Sequence, residues 1–93
     1  MTIYLAADHA GFELKNKLKK FLEEKGHEVQ DFGPTEYNEV DDYPDFMIPA
    51  AKELSENPEN RAIFMGGSGQ GEAMVANRFK NVRAAVYYGL PAV

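Results

Sequence analysis

The run Met65-Gly66-Gly67-Ser68-Gly69-Gln70-Gly71-Glu72 constrains this chain more than any other segment. It follows the apolar stretch Ala62-Ile63-Phe64-Met65 and precedes a helical pattern over residues 73–79, so it reads as a strand, a tight turn and a helix start. Glycines let the backbone turn sharply and bring its N–H groups close to a ligand, and a helix start adds partial positive charge. The loop therefore suits an oxyanion or a phosphate. A nucleotide-binding P-loop places Lys and then Ser or Thr after its last glycine, whereas this loop presents Glu72. A carboxylate in that place is a base rather than a phosphate clamp.

Strand and helix patterns alternate along the rest of the chain. Residues 2–7 read as a buried strand, 11–25 as a helix ended by Gly26, and 27–32 as a second strand bounded by Gly33-Pro34. A loop through Val40 leads to a second helix with Asp42 as cap, Pro44 at its first position and Met47, Ala50, Ala51 and Leu54 as its apolar stripe. Pro49 requires that helix either to begin late or to bend. A third strand over 61–65, a third helix over 71–79 and a fourth strand over 83–88 complete the pattern. In the first helix, Leu14, Leu18, Phe21 and Leu22 form the apolar face and leave Lys15, Lys17, Lys19 and Lys20 on the wet one.

Such alternation implies βαβ units, and right-handed crossovers then give a Rossmann-like α/β/α sandwich with a parallel sheet in the order 2-1-3-4. One sheet face is expected to carry only the first helix, and the other the second and third. Parallel sheets are covered on both faces, so a partner chain or a longer polypeptide is expected to complete the cover, and the C-terminus reads as truncated.

The 93 residues make one small domain, and a domain of this size hides about two-thirds of its unfolded surface. With no cysteine and two widely separated histidines, no disulfide framework, thiolate nucleophile or zinc site is expected. Residues 2–7 are too short for a signal sequence or a membrane span, which reads as a soluble cytoplasmic protein. The net charge of −5 argues against nucleic acid. Glu28, Asp31, Glu36, Glu39, Asp41, Asp42 and Asp45 fall in a stretch free of Lys and Arg; their spacing matches no known ion loop, and a solvated loop is the expectation.

In open α/β sheets, ligands bind beyond the carboxyl ends of the strands, where the strand order reverses. Here that point lies between the first and third strands, so Asp8-His9-Ala10-Gly11 is expected to face the 66–72 loop across one crevice. Asp8 also suits a helix cap, Ser68 a turn and Glu72 a first-turn acid. Their convergence favours a functional site over three separate structural roles.

Together, Asp8-His9-Ala10-Gly11, Asp42-Tyr43-Pro44-Asp45 and Gly66-Gly67-Ser68-Gly69-Gln70-Gly71-Glu72 followed by Ala76-Asn77-Arg78 resemble the ribose-5-phosphate isomerase B family. That family also contains the galactose-6-phosphate isomerase subunits. One version of its loop has a cysteine base before the glycines and another a glutamate in the following helix; with Gly66 and Glu72 at those places, this chain resembles the glutamate type. The resemblance implies aldose–ketose isomerisation of a phosphorylated sugar without metal or organic cofactor, ribose 5-phosphate being the expected substrate and galactose 6-phosphate or allose 6-phosphate the alternatives. It makes Glu72 the base, while Ser68 and the backbone of Gly67, Gly69 and Gly71 stabilise charge. It also gives Asp8 a part in ring opening, His9 a part in holding phosphate, and Tyr43 a place in the pocket wall. A homodimer or homotetramer is implied as well. Family members run to about 150 residues, a usual domain size, and the part beyond residue 93 supplies a further histidine and phosphate-binding arginines. A non-catalytic interaction subunit and a phosphosugar-binding module of the same fold are the other readings.

Overall fold

The computed structural model describes residues 1–34, 44–66 and 70–86. The expected Asp42 cap, the loop through Val40, Tyr43, the glycines and serine of 67–69 and the end of the expected fourth strand lie outside the described residues.

Strand β1 (Thr2–Ala7) is the uninterrupted apolar run of the sequence, and its last five residues are all buried. It pairs in parallel with β2 (Glu28–Asp31) on one side and β3 (Arg61–Met65) on the other. Among the described residues the sheet has three strands in the order β2-β1-β3. Burial on both faces is what makes β1 apolar throughout. The strands at either side alternate, with exposed Glu28, Gln30, Arg61 and Ile63.

Helix α1 (Phe12–Glu24) crosses one face, where Leu18 and Leu22 pack with Ile3, Leu5, Ala7, Val29 and Met65. Gly26, at φ +88°, provides the left-handed exit from this helix. Helices α2 (Pro44–Glu56) and α3 (Gln70–Ala76) cover the other face. There Met47 and Ala50 meet Ala6, Phe32, Phe64 and Val75, and Ala51 and Ala76 meet Val82. The expected division of one helix against two is therefore present, and the order reverses between β1 and β3 as the site requires.

Several local expectations are corrected. The buried stripe of α1 runs through Lys15 and Leu22, while Leu14 and Phe21 are 58% and 53% exposed. The helix is rotated because Lys15 finds a carboxylate, Asp31, at the end of β2, 2.7 Å from its Nζ. Lys15 is thus fully buried rather than on the wet face, and Asp31 belongs to the core edge rather than to a solvated acidic loop. Helix α2 begins at Pro44 and contains Pro49, whose side is exposed; the missing N–H removes one helical hydrogen bond without placing the ring in the core.

The expected fourth strand is described only over residues 83–86. Residues 83–86 form no ladder with the sheet. Instead the Asn77 carboxamide takes both polar groups of the Ala84 backbone, accepting its N–H at 2.7 Å and donating to its C=O at 3.0 Å. Helix α3 correspondingly stops at Ala76, short of the expected residue 79. Buried Val82 still anchors this segment against Ala51 and Ala76.

Candidate functional site

The register that pairs Ala7 with Met65 makes β1 and β3 end side by side. Past those ends, the Asp8 N–H donates to the Met65 carbonyl at 3.0 Å. The Asp8 carboxylate turns back to accept the Gly11 N–H at 3.0 Å, so Asp8 caps the short 3-10 turn His9–Gly11. A capped turn fixes both the side-chain direction of Asp8 and the place of His9 behind it. Asp8 and His9 are both half-buried, and Gly66 leaves β3 beside them.

Gly11 explains why the two exits come so close. A Cβ there would stand 2.5 Å from the Met65 carbonyl oxygen and 2.7 Å from its carbon and Cβ. Only a residue without a side chain lets α1 start this close to the end of β3. On the other flank, the Ala7 N–H donates to the Gly33 carbonyl at 3.0 Å and the Phe32 N–H to the Leu5 carbonyl at 2.7 Å. The exit of β1 is tied to both neighbours.

Gly71 and Glu72 fall in the first turn of α3, which follows β3 after the glycine loop. The structure thus brings the Asp8-His9 turn to the strand end that leads into the 66–72 segment. Gly67, Ser68, Gly69 and Tyr43 lie outside the described residues. Among the described residues no group of three or more His, Asp or Glu is arranged to hold a metal ion. No described helix is long and apolar enough to cross a membrane.

Residues 3–90 match the family model described as Ribose/Galactose Isomerase. The chain belongs to the ribose/galactose isomerase family. Over 90 residues it is 42% identical to ribose-5-phosphate isomerase B of Mycolicibacterium paratuberculosis, covering 97% of this chain and 57% of that relative. It also superposes on the crystal structure of ribose-5-phosphate isomerase B from Mycoplasma genitalium with bound ribulose-5-phosphate. There the TM-score is 0.89 and the identity 37%, over 92% of this chain and 57% of that one. The Clostridium thermocellum ribose-5-phosphate isomerase B superposes with a TM-score of 0.83 at 40% identity, over 94% and 58% of the two chains. The chain therefore spans a little over half the length of the ribose/galactose isomerases it matches.

Sequence reasoning did not single out Asp31 or Lys15. The signals available were the position of Lys15 one turn after Gly11, on the same helical face, and of Asp31 two residues before Gly33. Neither signal states that the two residues meet.

Proposed function

We propose that the protein is a sugar-phosphate aldose–ketose isomerase that interconverts ribose 5-phosphate and ribulose 5-phosphate. The observation that carries this reading is the pairing of the β1 and β3 exits through Asp8 and Met65, in a member of the ribose/galactose isomerase family whose Mycoplasma genitalium relative binds ribulose-5-phosphate. That pairing sets the Asp8-His9 turn beside the strand leading to Glu72.

The chemistry follows from the groups this chain brings. In the aldose-to-ketose direction, the Glu72 carboxylate takes the proton from C2, and the C–H electron pair becomes the C1=C2 double bond of a cis-enediolate. Charge develops on the former carbonyl oxygen at C1, where backbone N–H groups of residues 67–71 and the Ser68 hydroxyl stabilise it. The same carboxyl returns the proton to C1, while the hydroxyl proton on O2 passes to O1 and leaves the carbonyl at C2. No electron is gained or lost, and neither metal nor organic cofactor takes part.

Asp8 assists opening of the sugar ring, His9 helps hold the phosphate, and Tyr43 lines the pocket. Gly67, Gly69 and Gly71 let the loop backbone approach the substrate. The protein works in the cytoplasm as a homodimer or homotetramer. The direct test is conversion of ribose 5-phosphate to ribulose 5-phosphate by the purified full-length protein. Turnover preferring the pentose phosphate over galactose 6-phosphate and allose 6-phosphate is expected, and absence of turnover on all three would overturn the reading.

A further inference from the structure

Lys15 is completely buried, on the stripe of α1 that otherwise carries Gly11, Leu18 and Leu22. Its Nζ lies 2.7 Å from Asp31 Oδ2 and donates at 3.0 Å to Asn16 Oδ1, and Lys19 stands 3.8 Å from the same Asp31 oxygen. Replacing a buried ion pair by apolar residues of similar volume is often neutral or stabilising. Stability by itself therefore gives no reason for a lysine here.

The other oxygen of Asp31 supplies one. Asp31 Oδ1 accepts the Gly33 N–H at 2.7 Å, closing a tight turn in which Gly33 takes φ +103°. The carbonyl of that same Gly33 accepts the Ala7 N–H, and Ala7 is the last residue of β1 before Asp8 and His9. The β2 ladder ends at Asp31, so this turn carries β1–β2 pairing onward to the exit of β1.

We propose that Asp31 is a positioning residue for the candidate site. Acting through Gly33, it fixes Ala7 and hence the direction in which Asp8 and His9 leave the sheet, with Lys15 holding the carboxylate in the required orientation. The proposal rests on the isomerase reading for the use it assigns to Asp8 and His9. Small displacements of such groups have large kinetic effects, a misplacement of about 1 Å being enough for roughly a hundredfold.

The test compares two double variants of the full-length protein, both of which remove the buried charges and so avoid an unpaired one. Lys15→Met with Asp31→Asn keeps an oxygen that accepts the Gly33 N–H; Lys15→Met with Asp31→Leu does not. Two readouts are taken for each: hydrogen exchange at the Ala7 amide relative to Ala6 in the same strand, and kcat and KM for ribose 5-phosphate. The leucine variant is expected to raise the Ala7-to-Ala6 exchange ratio at least tenfold and to lower kcat about 10- to 100-fold, with KM changed less. The asparagine variant is expected to recover most of both losses. A global loss of stability would raise both amides together and leave the ratio unchanged. Equal ratios and equal kcat in the two variants would overturn the proposal, as would a raised ratio with wild-type kcat. Failure of the isomerase reading itself shows separately, as no turnover by the wild-type protein, and the exchange ratio still decides whether Asp31 holds the end of β1.

Discussion

Gly11 and Met65 approach so closely that the carbonyl of Met65 occupies the space that a Cβ at Gly11 would need, 2.5 Å away. The same carbonyl accepts the Asp8 N–H. One peptide group at the end of β3 therefore sets both where the first helix starts and where the Asp8-His9 turn sits. Gly11→Ala is expected to destabilise the protein by about 1–3 kcal/mol, because the obstructing atom is backbone and cannot rotate away. Urea denaturation measures it. A change below about 0.5 kcal/mol would mean that the two exits separate freely.

The phase of α1 gives a second prediction. Leu5 is fully buried, and Leu5→Ala is expected to cost about 2–5 kcal/mol. Leu14, which belongs to the apolar pattern of the helix but is 58% exposed, is expected to tolerate Leu14→Ala within about 0.5 kcal/mol. Comparable losses at both positions in the same denaturation series would contradict the rotation of α1 toward Asp31.

The proposed role of Glu72 as the base is tested by Glu72→Gln. The amide has nearly the same shape and no basic oxygen, so kcat for ribose 5-phosphate is expected to fall by about 10²- to 10⁴-fold while KM changes little. Steady-state kinetics of the full-length protein checks this, and near-normal turnover would move the base elsewhere.

Asn77 holds the Ala84 backbone by both of its polar groups. Asn77→Ala is expected to cost about 1 kcal/mol and to speed exchange of the Ala84 amide. Asn77→Asp keeps the acceptor for that N–H and is expected to preserve its protection. If neither substitution alters Ala84 exchange, the segment is held by Val82 alone.

Ile63, on the α1 side of β3, and Leu14 and Phe21 of α1 are exposed apolar side chains. Exposed apolar side chains suit a contact with a second copy, and symmetric dimers are the commonest soluble assemblies. Light scattering of the full-length protein is expected to give a multiple of the single-chain mass. A fully active monomer at micromolar concentration would rule out a site shared between subunits.

Features that depend on neighbours along the chain are legible in the residues alone. The apolar runs of β1 and β3 appear with the bounds read from them, Gly26 ends α1 in the left-handed conformation, and Pro44 opens α2. The alternation of strand and helix, with right-handed crossovers, was enough to place Asp8-His9 at the switch point and to give each sheet face its helices. The rotation of α1 is set by the folded chain, because a buried lysine needs a charge partner and Asp31 comes from another element. The folded chain also sets the path of residues 83–86. Their composition suits a strand, but a strand exists only through the hydrogen bonds of its neighbour, and the described Ala84 backbone is bonded to the Asn77 side chain instead. Periodicity reports which residues prefer burial, whereas the fold determines which partners make burial of a charged or polar group favourable.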